Sequence, residues 1–209
     1  MKKSIQNIFC VGRNYAMHAK ELNNAVPTSP LFFSKPTHSI VEATGQSVTL
    51  PGNQGAIHFE AEWVVHIGRA YSPGAKADDL IDAMALGVDF TLRDTQTILK
   101  QKGYPWLAAK GFLNSALLTP FMEFPGLKAC SKTDFTLHIN GREVQRGNIS
   151  DMIFNPQSLL DYCGQHYGLG EGDLLFTGTP AGVGKVTSDD RLTLIWGSTV
   201  VGEATVRLN

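Results

Sequence analysis

Residues His58 to Gly68 constrain this chain most. Phe59, Ala61, Trp63, Val65 and Ile67 alternate with His58, Glu60, Glu62, Val64 and His66. Strict period two predicts a strand with one wholly apolar face, which must be covered by a core. The same geometry puts the Glu60 and Glu62 carboxylates on the opposite face, roughly 7 Å apart along the strand. Two like charges held that close need neutralising. A solvated strand face is one resolution, and a divalent cation with a preference for oxygen is the other.

The remaining pattern is rich in strands. Ile8 to Val11, Leu31 to Phe33, Ser47 to Leu50, Gly87 to Thr91, Leu174 to Thr177, Leu192 to Trp196 and Thr199 to Leu208 read as strands. Phe135 to Arg146 reads as a hairpin turning at Asn140-Gly141. Helices are expected at Asn14 to Asn23 with Asn14 as N-cap, at Asp78 to Leu86, at Gln96 to Lys102 ending on Gly103, and at Pro156 to Tyr167. This predicts a mixed α+β, mainly β domain, mostly antiparallel and spanning 1–209, rather than a doubly wound sheet.

Composition narrows the function. A formal net charge of -1, with no basic run beyond Lys2-Lys3, provides no field for nucleic acid or an anionic membrane. The apolar runs are far shorter than the ~20 residues needed to span a bilayer, and Ser4, Gln6 and Asn7 interrupt any signal-peptide pattern. A cytoplasmic enzyme is the expectation. Cys10, Cys130 and Cys163 are distant from one another and show no C-x-x-C spacing. They are expected to be reduced, buried thiols rather than disulfide partners or zinc ligands.

Asp89, set between Val88 and Phe90, is a candidate third ligand beside Glu60 and Glu62. Three carboxylates without cysteine favour magnesium or manganese over zinc. Asp94 is either a fourth ligand or, preferably, the cap of the helix beginning near Thr95. His18 and Glu21 lie three apart on a predicted helix and would share a face, as a surface pair or as a carboxylate–imidazole base. Lys110 falls in an apolar stretch between Trp106 and Phe112, where an unpaired ammonium is costly. TGTPAGVGK resembles a P-loop but breaks its spacing: Thr179 stands where glycine is needed, and Val186 follows Lys185. Its glycines would instead let backbone and hydroxyls approach a small anion, or simply form a tight turn.

The segments VGRNYAMHAKEL, LFFSKP, HFEAEWVVHIG, GVDFTLRDTQ, KGYPWLAAKGF, INGREVQ, SDMIF and EGDLLFTGTPAGVG, in that order, resemble the fumarylacetoacetate hydrolase family. The likeness is to its short acylpyruvate hydrolase and oxaloacetate decarboxylase members. It implies a distorted, mostly antiparallel β-roll that forms a homodimer. It implies Glu60, Glu62 and Asp89 as ligands of Mg2+ (or Mn2+), and His18 and Glu21 as the water-activating dyad of a mobile lid over Asn14 to Asn24. Lys110 joins these as a catalytic group. Arg13, Lys35, Arg93, Gln96, Thr177 and Thr179 would surround a small 2-oxo acid. Trp63 stands where relatives often carry a smaller aliphatic residue, and by alternation it points away from the acids. The implied reaction is hydrolysis of a carbon–carbon bond in an acylpyruvate- or fumarylpyruvate-type substrate. Oxaloacetate decarboxylation or a 2-hydroxymuconate-type isomerisation at the same site is the alternative. A protein that binds a nucleotide or small anion without catalysis is the alternative from another class.

Overall fold

The computed structural model describes residues 5–21 and 27–209, and for residues 18–20 the backbone alone. The architecture is mixed and mainly β. A seven-stranded sheet runs Leu31–Lys35, Ile8–Gly12, Leu174–Phe176, Ala61–Ile67, Ile81–Asp89, Ala116–Leu118, Ile40–Glu42. A five-stranded sheet runs Arg142–Gly147, Phe135–Ile139, Arg191–Trp196, Thr199–Leu208, Thr44–Leu50. Ile57–Phe59 forms a small third sheet with Gly184–Lys185 on one side and Thr91–Leu92 on the other. Most neighbours are antiparallel. The parallel pairs are Ile8–Gly12 with Leu174–Phe176, Ile40–Glu42 with Ala116–Leu118, and Thr199–Leu208 with Thr44–Leu50.

The alternation that opened the sequence reading is real. Ala61, Trp63, Val65 and Ile67 enter the large core between the sheets. Val64, on the other face, joins Ile8, Cys10, Ala85 and Phe176 in a second cluster. Ala61–Ile67 is therefore buried on both faces. Trp63 points away from the acids, as expected, and donates its indole N–H to Met84 Sδ at 3.4 Å.

The predicted strand His58 to Gly68 is not continuous. It breaks at Glu60, where the chain passes from the small sheet to the large one. The neighbouring strand breaks likewise at Phe90, between Ile81–Asp89 and Thr91–Leu92. The two crossings are tied by the Asp89 N–H, which donates to the Glu60 carbonyl at 2.8 Å. Glu60 and Asp89 thus lie at the seam between two sheets.

The helix expected over Asp78 to Leu86 is replaced by one turn, Ala77–Leu80, followed by the strand Ile81–Asp89. Leu, Ala and Met favour a helix locally. This segment lies between Ala61–Ile67 and Ala116–Leu118, with every residue but Asp82 buried, so pairing and core contact override that preference. The other helices form close to their expected bounds. Arg93–Lys102 ends on Gly103, and Pro156–His166 starts from Asn155, whose side chain accepts the Ser158 N–H. The hairpin turns at Asn140 and Gly141, with φ of 52° and 81°, the left-handed pair a two-residue connection requires.

Ala16–Glu21 is helical, and residues 22–24, the rest of the expected lid, lie outside the described residues. Asn14 does not cap that helix. It is buried, and it donates from Nδ2 to the carbonyls of Thr177 (2.8 Å) and Phe154 (3.1 Å) while Oδ1 accepts the Phe154 N–H (2.8 Å). All three cysteines are free and buried. Among the described residues no helix is long and apolar enough to cross a membrane.

Candidate metal centre

Glu60, Glu62 and Asp89 are buried, and each presents a carboxylate oxygen within 4.8 Å of the others. Glu62 comes from the central strand, while Glu60 and Asp89 come from the seam. Cationic side chains meet two of them. Lys110 Nζ donates to Glu60 Oε2 (2.7 Å), Asp89 Oδ2 (2.6 Å) and Thr91 Oγ1 (2.6 Å). Burial alone would push the Lys110 pKa down. Asp89 and then Glu60 outweigh it, and the net shift is upward. The ammonium is paired rather than snorkelling to solvent. Arg93 bonds Glu60 Oε1 through one guanidinium nitrogen and Gln96 Oε1 (2.6 Å) through another.

Lys35 lies behind Asp89 and not in the pocket. Its Nζ is 2.7 Å from Asp89 Oδ1 and donates to the carbonyls of Lys110 and Ser115 and to Ser115 Oγ. Fully buried, it holds Asp89 and the turn at Lys110 together.

Glu62 differs from its neighbours. The Gly178 N–H donates to its Oε2 at 2.7 Å, and among the described residues no cationic side chain touches it. Burial and then the charge of Asp89 raise its pKa well above the usual carboxylate range. Gly178 reaches it because φ is 101° and because a side chain there would collide with Asn14 Cβ.

The two threonines of the TGTP loop divide their work. The Thr177 hydroxyl donates to the Trp63 carbonyl at 2.6 Å and is fully buried. Thr179 faces the pocket, and its Oγ1 accepts from Gln145 Nε2 at 2.8 Å. Its own proton therefore remains available to a ligand. Gln145 was not foreseen as a site residue. From the second hairpin strand it also accepts the Ala61 N–H (2.8 Å) and donates to the Pro180 carbonyl (3.0 Å), tying the acidic strand to the threonine loop.

These groups enclose a small polar chamber of about 40 Å³, lined by Glu60, Glu62, Lys110, Arg93, Gln96 and Thr179, with Arg13, Lys100, Phe33 and Trp106 toward its mouth. Arg93, Gln96 and Lys100 stand at i, i+3 and i+7 of one helix and so share a face. That spacing was a sequence signal for Lys100, which the sequence reading passed over. Partial burial, and then repulsion from Arg13 and Arg93, lower the Lys100 pKa. Arg13, Arg93 and Lys100 thus gather positive charge on one side of the chamber. Arg13 adopts a φ of 61°, uncommon for a residue with a side chain.

Asp94 is neither ligand nor cap. Its Oδ2 accepts the Ala56 N–H at 2.9 Å, pinning the loop before the small sheet, and the helix already starts at Arg93. Glu21 accepts the Gly182 N–H at 3.2 Å on each carboxylate oxygen, which places it over the threonine loop. The side chain of His18 lies outside the described residues.

The donor set fits a divalent cation. It is all oxygen, buried and convergent, and the Glu62 carboxyl, which Lys110, Lys35 and Arg93 do not touch, is left for a cation to engage. Glu60, Glu62 and Asp89 would hold a magnesium- or manganese-like ion, with water or substrate completing the shell.

Comparison with known proteins agrees with this geometry. Residues 7–207 match the family described as Fumarylacetoacetate (FAA) hydrolase C-terminal. The oxaloacetate tautomerase YcgM of Escherichia coli (strain K12) is 36% identical over 195 residues, 91% of this chain and 88% of the relative. A mitochondrial oxaloacetate decarboxylase of Dictyostelium discoideum is 37% identical over 187 residues, 87% and 84% of the two chains. The crystal structure of fumarylpyruvate hydrolase from Pseudomonas aeruginosa, in complex with Mn2+ and pyruvate, superposes with a TM-score of 0.92 at 30% identity, covering 100% of this chain and 92% of that one. This chain belongs to the fumarylacetoacetate hydrolase family.

Proposed function

We propose that this chain is a divalent-metal-dependent enzyme that works through the enolate of a 2-oxo acid carrying a second carbonyl or carboxyl group, with oxaloacetate as its first substrate. The carrying observation is the convergence of Glu60, Glu62 and Asp89 beside Lys110, in a chamber with Arg13 and Lys100 at its mouth. When bound, the cation supplies positive charge to oxygens that become negative during the reaction. The chain's own groups do the rest. Lys110 keeps its proton and adds charge at the reacting end. Arg93 and Gln96 orient the oxo acid, and the Thr179 hydroxyl donates to one of its oxygens. Arg13 and Lys100 receive the second carboxylate. Lys35 and the Gly178 N–H position Asp89 and Glu62.

Keto–enol interconversion and loss of CO2 from oxaloacetate need no activated water. The Escherichia coli and Dictyostelium discoideum relatives are named for these reactions. For that reason we rank oxaloacetate ahead of carbon–carbon hydrolysis, which the sequence alone had put first. Hydrolysis of an acylpyruvate or fumarylpyruvate is the second reading. It is favoured by the position of Glu21 over the threonine loop, with His18 on the same helix as the base.

Turnover of oxaloacetate, acetylpyruvate and fumarylpyruvate, with Mg2+ and after chelation, tests both readings. Oxaloacetate turnover should vanish with a chelator and return with Mg2+ or Mn2+. His18→Ala should spare it, while cutting any hydrolysis by about a hundredfold or more. Full activity without metal would overturn the proposal. Faster cleavage of the acylpyruvates would put the second reading first.

A further inference from the structure

The polar chamber ends where a larger cleft begins. The cleft measures about 730 Å³, against about 40 Å³ for the chamber, and Arg13, Phe33, Lys100 and Trp106 line both. Beyond these four its walls are mostly apolar, with Leu31, Phe32, Tyr104 and Leu107 among them. An apolar space of that size beside an acid-lined chamber would be room for the tail of a substrate. It is shut off from the chamber. The Phe33 and Trp106 rings meet with centres 5.6 Å apart at 55°, a tilted contact that leaves no room for a group between them.

Both rings are held by residues that build the site. Phe33 comes from Leu31–Lys35, the edge strand of the large sheet, where it pairs with Cys10. Lys110 Nζ lies 4.9 Å from the centre of its ring, so the ammonium that serves the acids also fixes the ring. Trp106 precedes the turn Leu107–Lys110, and its carbonyl accepts the N–H groups of Ala109 (2.9 Å) and Lys110 (3.0 Å). Its indole lies over Gly12, where an added methyl would come within 3.5 Å of Cζ3. The end of one strand, its edge partner and the turn of Lys110 thus converge on one aromatic partition.

We propose that Phe33 and Trp106 are the residues that limit substrate length. The proposal rests on the enolate reading of the chamber. With the oxo acid at the three carboxylates and Lys110, and the second carboxylate at Arg13 and Lys100, a four-carbon diacid ends at the partition. A longer substrate meets two touching rings on that side. An apolar tail would also lie against Arg13 and Lys100, which would lose solvent without gaining a partner. The cleft therefore adds nothing to binding in the native chain, and removing one ring joins it to the chamber.

Two ligands test this. 2-Oxobutanoate and 2-oxo-4-phenylbutanoate share a head and differ by one phenyl group, and neither carries a second carbonyl, so binding is read without cleavage. Calorimetry with Mg2+ gives the ratio of their affinities. The native chain should bind the phenyl compound no more tightly than the plain one. Trp106→Ala should favour the phenyl compound by about tenfold or more, the scale of a filled apolar pocket. Trp106→Phe should return the ratio to its native value, which a general loosening of the fold would not do. Phe33→Ala should move the ratio in the same direction as Trp106→Ala and serves if that variant does not fold. A native chain that already prefers the phenyl compound tenfold overturns the proposal, as does a folded Trp106→Ala with an unchanged ratio. Oxalate reports the head alone. No binding of oxalate by the native chain with Mg2+ would overturn the enolate reading and this proposal with it, whereas normal oxalate binding with an unmoved ratio overturns the partition alone.

Discussion

Glu62 has no cationic side chain against it among the described residues, and that makes it the most informative single position. Glu62→Gln replaces a buried carboxyl whose ionisation is disfavoured in the absence of a cation, so the metal-free variant should melt at or above the native temperature. Its affinity for Mn2+, titrated by calorimetry, should fall by about tenfold or more, since one anionic ligand is lost. Loss of stability without loss of affinity would count against the ligand assignment. The cysteines make a different prediction. Burial first, and nearby carboxylates second, push the Cys130 and Cys163 thiols up to about 12, and Cys10 is raised as well. At pH 8 all three are protonated, so a disulfide exchange reagent should label them only in denaturant. Glu60 and Glu62 were legible at this scale because period two fixes a face. The difference between Thr177 and Thr179 was not, because it depends on Trp63 and Gln145, residues distant in sequence.

Among the elements, the hairpin carrying Gln145 is the one whose role in the site was hidden. Its turn was readable from Asn140-Gly141, but its contact with the acidic strand is a tertiary fact. Gln145→Ala leaves the Ala61 N–H and the Pro180 carbonyl without their partner, at about 1–3 kcal/mol for each buried group left unsatisfied. Urea unfolding should show a loss of about 2 kcal/mol or more, and KM should rise as Thr179 loses its anchor. A variant as stable as the parent would mean that the hairpin does not brace the loop. The helices Arg93–Lys102 and Pro156–His166 were legible through their glycine, proline and asparagine signals. Ile81–Asp89 was not, because its residues favour a helix locally and only its place between two strands makes it extended.

Taken whole, the molecule places a cluster of acids in its interior, and a bound cation should stabilise it as a unit. With free metal at 100 times Kd, ligand linkage contributes about 2.7 kcal/mol. Thermal melting should therefore rise with Mg2+ or Mn2+ and fall on chelation, while Glu62→Gln should respond weakly. A melt indifferent to metal would argue against the centre. The mainly β class was readable from strand patterning and turn signals. The division into three sheets was not, since nothing local marks Glu60 and Phe90 as the points where the chain changes sheet. That seam has a kinetic consequence. Glu60 and Asp89 acquire their places only when the small sheet has docked beside the large one, which requires contacts distant along the chain. During refolding, far-UV signal should recover before the protein can capture Mn2+. The ion would then report completion of the tertiary structure, and a half-assembled chain would compete poorly for it.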